Sequence, residues 1–431
     1  MKIIHTADLH LGQIIYQNYD RRDEHQHFFS QLTRWCQEEN PDALLVSGDI
    51  FDIQQPSAST KKVFNDYFAD LHRTCPMMKI VIVAGNHDSA SRIQADSAVW
   101  TFADTALVGM PPADNGNEGW ENQYIVRLPQ GYVVALPYLA ATNTPLLQRL
   151  LDKVASENVE GKPVVMMGHA AVTGLDATGH DFEIGTLKTQ DIHSFGVGYD
   201  YLALGHIHKP QTIGHQEDAN TEKVTYPSPV VRYSGSALHV SCDEAYPHSV
   251  SVVEIDKHGG QVSIRQRRID ELRHFHTLPE NGSFANADDA LLCIRQFREQ
   301  HPSGYIRLRV DYAANLPSNF NQMVYDLLAP AESNGVDEYR YNPKTIWTGT
   351  NPKAIDRLSQ PTFDVADLQQ MTDPVLFVEK TLSQYPDLDL DMVRAAFEEV
   401  KAERDRLSEE KASNPSKKNV KTTPSTDWQT A

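Results

Sequence analysis

Five short apolar runs in the first half of this 431-residue chain each end in a small group of carboxylate, amide or imidazole side chains. Lys2–Thr6 leads into Asp8-Leu9-His10, Ala43–Ser47 into Gly48-Asp49-Ile50-Phe51-Asp52, and Lys79–Ala84 into Gly85-Asn86-His87-Asp88. Pro163–Met167 and Tyr201–Leu204 lead in the same way into Gly168-His169 and Gly205-His206-Ile207-His208. Apolar runs of this length bounded by turn residues read as strands. Between them, Asp23–Glu39 carries Phe28, Phe29, Leu32 and Trp35 at helical spacing, and Ala58–Leu71 carries Val63, Phe64, Tyr67, Phe68 and Leu71. Both stripes are expected in a core. With further strands at 132–137, 230–234 and 250–255, the alternation predicts an α/β layered domain over residues 1–272. Ligands of such sheets bind at the carboxyl ends of the strands, so all five motifs stand where one site can collect them.

Taken singly, each motif is an ordinary strand-end turn, and strings such as Asn-His-Asp are common in turns. The coincidence of five points instead to a metal centre. On an extended segment, side chains two residues apart share a side, which brings Asp8 to His10 and His206 to His208. The candidate ligands are Asp8, His10, Asp49, Asn86, His169, His206 and His208, a mixed oxygen and nitrogen set without thiolates. That set suits Mn²⁺, Fe or Zn²⁺ better than Ca²⁺ or a structural zinc. With Asp49 shared, seven ligands are enough for two divalent cations about 3.5–4 Å apart, which clamp the attacking and leaving oxygens of an in-line displacement. The reaction expected is hydrolysis of a phosphoester by a water held between the cations. His87 would stabilise the transition state or protonate the leaving group, and Asp88 would orient and charge the His87 imidazole. Asp52 is read either as an outer partner of the site or as a turn residue. The ligands do not choose between a monoester, a cyclic diester and a nucleic acid.

Beyond Arg273 the pattern changes to strand, helix (about 288–300), strand (305–312), helix (320–328) and strand (337–341), which predicts a small α/β domain over 273–345. A loop rich in Pro, Thr and Asn, Asn342–Pro361, then precedes amphipathic helices at about 365–384 and 390–408, so that 346–412 reads as linker and helices. Residues 413–431 have almost nothing to bury and are expected to be disordered. The four cysteines, Cys36, Cys75, Cys242 and Cys293, show no pairing pattern and are read as reduced. No apolar run approaches the roughly 18–20 residues of a membrane span, and the N-terminus enters a strand directly. A cytoplasmic location is expected. The net charge of −19 opposes unaided DNA binding, which depends on neutralising phosphates. A binuclear centre offsets about four charges locally, and a partner could supply basic surface.

The motif order D-x-H, G-D-x-x-D, G-N-H-D, G-H, G-H-x-H resembles the calcineurin-like metallophosphoesterase superfamily. Within it the chain looks like the bacterial SbcD nuclease subunits. The closer likeness is carried by Ile4-His5-Thr6-Ala7-Asp8-Leu9-His10-Leu11-Gly12, Glu24-His25, Ile184-Gly185-Thr186-Leu187 and Arg232-Tyr233-Ser234-Gly235-Ser236, and extends over about residues 1–245. It implies a layered β-sandwich flanked by helices, with a small α/β capping domain that narrows DNA access. The ligand sets it implies are Asp8, His10, Asp49 and His208 for one metal, and Asp49, Asn86, His169 and His206 for the other, with His87 at the transition state. It further implies a Mn²⁺-dependent exonuclease and endonuclease acting on double-strand DNA ends and hairpins, a homodimer, and C-terminal helices that dock on an SbcC-type ATPase. Two departures are the stretch His215–Ser228, which looks enlarged, and the lysine-bearing tail. Competing readings are a metallophosphoesterase of small molecules or nucleotides, favoured by the acidic surface, and a non-catalytic DNA-end scaffold, disfavoured by the full ligand set.

Overall fold

Alternation along the first strands decides how the layers stack. In Lys2–Thr6, Ala43–Ser47 and Lys79–Val83, the side chains of Ile3, Leu45, Val81 and Val83 enter one hydrophobic cluster, while Ile4, Leu44, Val46, Ile80 and Ile82 enter another. A sheet that is apolar on both faces must be covered on both. In this computed structural model, one face packs on a second sheet and the other on helices Arg22–Glu39 and Ala58–Thr74, whose Phe28, Leu32, Trp35, Phe64 and Phe68 are buried there. The structure describes residues 1–349 apart from 17–18, 115, 117, 179–187, 216–222, 245 and 330–337.

Sheet I has seven strands in the order Lys223–Pro227, Gln261–Arg268, Ser249–Ile255, Lys2–Thr6, Ala43–Ser47, Lys79–Val83, Thr105–Val108. Its last four are parallel. Sheet II has six, in the order Gln211–Thr212, Val230–Tyr233, Tyr201–Gly205, Val164–His169, Gly131–Ala135, Ile125–Leu128. The parallel pair Val164–His169 and Tyr201–Gly205 lies at its centre. Ile3, Leu45 and Val81 share a cluster with Val165, Met167, Tyr201 and Ala203, and Ser47 Oγ donates to the Ala203 carbonyl at 3.1 Å between the layers. The expected layered sandwich is thus present, and the motif-bearing strands of both sheets stand at its middle.

Sheet III is small and all parallel: Phe275–Leu278, Gly304–Asp311 and Tyr339–Thr348, with helices Ala287–Gln300 and Phe320–Leu328 as crossovers. Its own cluster includes Leu278, Ile294, Ile306, Val310, Val324 and Tyr341. One expectation is corrected. The stretch 342–348 is strand and not loop, because Ile346, Trp347 and Thr348 continue the pairing with Arg309, Val310 and Asp311. Pro343 lacks an N–H for the ladder, and the register shifts where it falls, between Arg307 and Arg309. In the stretch 215–228, Lys223–Pro227 is an edge strand paired with Gln261–Arg265. The helices expected at 365–384 and 390–408, the tail, and Ile184–Leu187 lie outside the described residues. Among the described residues the cysteines form no disulfide, and no helix is long and apolar enough to cross a membrane.

Candidate metal centre

The chain turns sharply where the motif-bearing strands end. Asp8, His10 and Asp49 have φ of 52°, 46° and 48°, and His206 has 96°. Residues with a Cβ avoid this left-handed region, yet four of the seven described non-glycine residues found there belong to the candidate ligand set. The extended geometry expected for Asp8-Leu9-His10 and His206-Ile207-His208 is therefore corrected: the side chains converge through left-handed bends, not through strand alternation. Main-chain hydrogen bonds fix these bends. Asp8 N–H donates to the Gly48 carbonyl at 3.0 Å, His10 N–H to that of Asp49 at 3.0 Å, and the Asp8 carboxylate accepts His206 N–H at 3.0 Å. Strain of this kind persists only where its surroundings over-determine it, and it collects at functional sites. The motif glycines allow close approach as much as turning. A Cβ on Gly85 would lie 2.1 Å from Asp49 Oδ1, and one on Gly205 would lie 1.9 Å from the Ser47 carbonyl oxygen.

Besides a group formed by His10, Asp52 and His87, two groups of donor atoms consist of candidate ligands alone, each within 4.8 Å of one another: Asp8 with His10 and His208, and Asp49 with His169 and His206. Asp49 reaches towards both, its Oδ2 lying 3.3 Å from His169 Nε2 and 3.9 Å from His10 Nε2. Asn86 completes the second group, with Oδ1 at 2.9 Å from both His169 Nε2 and His206 Nδ1. His169 donates through Nδ1–H to the Ser47 carbonyl at 2.8 Å, which leaves a lone pair on Nε2 in the neutral ring. That lone pair faces the oxygens of Asn86 and Asp49. Lone pairs that converge in this way need a proton or a metal cation among them. In the first group His10 Nε2 is buried and has no hydrogen-bond partner. The residues present fit divalent cations on both counts.

The electrostatics agree. Burial opposes ionisation of Asp49, but His169 beside it holds the carboxyl well below the usual carboxylate range. Burial likewise works against a charged His169, yet the Asp49 and Asp8 carboxylates outweigh it and push the imidazole up to about 9. Protons balance the carboxylates when no metal does, so a divalent cation must displace them.

His87 is exposed. Its N–H donates to Asp49 Oδ1 at 2.8 Å, and its Nδ1–H donates to the Asp52 carbonyl at 2.8 Å. The expected pairing of Asp88 with the His87 imidazole is not formed. Both Asp88 oxygens are taken by backbone donors, the N–H groups of Gly85 at 2.8 Å, Ile50 at 3.0 Å and Phe51 at 2.9 Å. Asp88 thereby ties the third motif to the second, and burial, reinforced by Asp49, raises its pKa to about 6. Asp52 proves to be a partner of the site, with Oδ1 at 3.3 Å from His10 Nδ1. One residue was missed entirely. Glu244 Oε1 accepts from His208 Nδ1 at 2.8 Å, 36 positions along the chain, and no local pattern announces it.

Comparison with known proteins adds the class. Residues 1–210 match the calcineurin-like phosphoesterase family, a class of metallophosphoesterases that works with divalent metals. The chain is, further, SbcD-like. It is 29% identical to the SbcD subunit of the nuclease SbcCD from Escherichia coli K12 over 276 residues, which cover 58% of this chain and 65% of that protein. It is 28% identical to the SbcD subunit of Rhodobacter capsulatus over 72% of this chain and 81% of the other. With the SbcD subunit of Bacillus subtilis it shares 26% identity, over 72% and 85%. The match to the Escherichia coli protein thus spans somewhat less than two thirds of that protein's length.

Proposed function

We propose that this chain is a Mn²⁺-dependent two-metal nuclease that cleaves phosphodiester bonds at double-strand DNA ends and hairpins together with an SbcC-type ATPase. The observation that carries the reading is the convergence of two donor groups on one shared carboxylate, Asp49. One cation falls to Asp8, His10, Asp49 and His208, and the other to Asp49, Asn86, His169 and His206. When bound, the two cations supply Lewis acidity and charge neutralisation at the phosphoryl group. The chain's own residues do the rest. Asp49 holds the two groups in register through its backbone bend and its contact with the His87 N–H. The exposed His87 imidazole is anchored at Nδ1 by the Asp52 carbonyl, and in its imidazolium form, with both nitrogens protonated, it can donate through the other N–H to a non-bridging or leaving oxygen. Asp88 does not take part as an acid or base; it positions the loop that carries Asn86 and His87.

The names of the relatives support the nuclease activity and the second subunit. The expected homodimer is supported by an outer face of helices Ala58–Thr74 and Ala90–Trp100 and the turn Thr101–Ala103, where Val99 is 69% and Phe102 93% exposed beside a groove of about 570 Å³. Apolar exposure of that kind marks an association surface. The test uses the purified full chain with Mn²⁺ on linear duplex DNA, a DNA hairpin, a generic phosphodiester and a phosphomonoester, with and without co-expressed SbcC-type ATPase. The expected result is Mn²⁺-dependent cleavage of diesters, with action on duplex ends only when the ATPase is present. Hydrolysis of monoesters or nucleotides with DNA left intact would overturn the reading in favour of a small-substrate enzyme, which the net charge of −19 suits.

A further inference from the structure

The imidazoles of the two donor groups are held from behind in different ways. His169 donates through Nδ1–H to a neutral acceptor, the Ser47 carbonyl, at 2.8 Å. His208 donates through Nδ1–H to a carboxylate, Glu244 Oε1, at 2.8 Å. Glu244 is 2% exposed, and its other oxygen is also engaged. Oε2 accepts Val240 N–H at 3.0 Å and lies 3.3 Å from His248 Nε2. His248 is in turn held by Ser236, whose Oγ lies 3.0 Å from His248 Nδ1. With both oxygens occupied, the carboxylate has no freedom to swing away from His208.

A charged acceptor behind an imidazole does two things that a carbonyl does less well. It fixes the tautomer with the proton on the far nitrogen, and it raises the basicity of the nitrogen left for a cation. We propose that Glu244 is a positioning residue of the metal centre, setting the orientation and donor strength of His208 so that the Asp8–His10–His208 group binds its cation tightly. The proposal rests on the two-metal reading above. It makes the centre asymmetric: one half is tuned by a buried anion reached from the Ser241–His248 region, the other by a main-chain carbonyl of the sheet itself.

The experiment is a calorimetric Mn²⁺ titration of the metal-free full chain, run on wild type, Glu244→Gln, Glu244→Ala and His248→Gln, with a melting curve for each. Wild type should take up two Mn²⁺. Glu244→Ala should weaken one of the two sites about 10–100-fold and leave the other within about 2-fold. Glu244→Gln keeps an acceptor oxygen without the charge and should fall between. In nitrogen-detected NMR of the metal-free protein, the protonated Nδ1 of His208 should be retained in Glu244→Gln and lost in Glu244→Ala. His248→Gln removes one of the two contacts to Glu244 Oε2 and none to His208, and should weaken that same site by much less than Glu244→Ala. Two Mn²⁺ bound at wild-type affinity by Glu244→Ala would overturn the proposal alone. So would an equal loss at both sites, or a loss of the same size in His248→Gln, since either would assign the effect to packing. Fewer than two Mn²⁺ on wild type would overturn the two-metal reading as well.

Discussion

Asp49 and His87 are joined by one hydrogen bond, from the His87 main chain to Asp49 Oδ1 at 2.8 Å, but their roles separate cleanly. The imidazole of His87 belongs to neither of the donor groups around Asp49 and Asp8, though it joins His10 and Asp52 in a third, and it is exposed. His87→Ala should therefore retain both metals and its melting temperature while kcat falls about 10²–10⁴-fold, the usual contribution of a positioned acid or base. Metal analysis beside kinetics decides: a variant with half the metal would return His87 to the ligand set. Asp49→Asn removes the charge that both groups share and should weaken both sites together, whereas loss of a single Mn²⁺ would refute the bridge. The residue types of this centre were legible in the sequence because strand-end carboxylates and imidazoles without an apolar role are conspicuous. Their orientation was not. The left-handed bends at Asp8 and His10 are imposed by hydrogen bonds to Gly48 and Asp49 from another strand, and Asp88 is drawn from His87 by three main-chain N–H groups that no spacing rule reveals.

Helices Arg22–Glu39 and Ala58–Thr74, which bury strong apolar stripes, were read from the sequence; helix Thr144–Glu157, which buries Leu147, Leu150, Leu151 and Val154, and the edge strand Lys223–Pro227 were not. Lys223–Pro227 is polar and half-exposed, and it is a strand because Gln261–Arg268 offers it a ladder. Helix Arg22–Glu39 shows how a polar element end can matter more than its stripe. His25 Nε2 donates to the Leu9 carbonyl at 2.7 Å, in the turn between Asp8 and His10. The neighbouring Glu24 carboxylate accepts from Arg21 at 2.6 Å, Arg273 at 3.1 Å, Arg340 at 2.9 Å and the Tyr305 hydroxyl at 2.6 Å. The first turn of this helix thus connects the motif loop to sheet III. Burial works against a charged Glu24, but Arg21 and Arg340 outweigh it and keep the pKa below its ordinary value. A carboxylate with a lowered folded-state pKa contributes stability above the unfolded pKa, about 4, and loses it as pH falls through the folded value. Glu24→Gln should therefore cost about 3–5 kcal/mol near neutral pH, because three guanidinium groups lose their central anion. The gap between wild type and variant should close as the pH drops below about 4. Denaturant unfolding at pH 7, 5 and 3.5 measures it; a gap independent of pH would mean that shape and not charge holds this junction.

At the scale of the molecule, every described strand finds its partners within residues 2–348, and the candidate ligands stand at the ends of strands of sheets I and II. The segment that follows is nevertheless not featureless in sequence. Leu368, Met371, Val375, Leu376, Val378 and Leu382, then Leu390, Val393, Phe397, Val400 and Leu407, recur mostly at three- and four-residue intervals, and such stripes must be buried against something. A stripe that packs on its own domain is needed for stability; one that lies in a partner's groove is needed only for assembly. The two cases make opposite predictions for a chain ended at Gly349. If the stripes serve an SbcC-type ATPase, as proposed, the shortened protein should melt within a few degrees of the full chain. It should also take up its Mn²⁺ and hydrolyse a small phosphodiester at a similar rate, yet fail to co-purify with the ATPase and lose ATP-dependent action on duplex ends. Co-expression followed by size-exclusion chromatography reads the assembly, and metal analysis with the diester assay reads the centre. Loss of metal or of cooperative melting in the shortened protein would instead assign both stripes to its own core and remove the argument for docking.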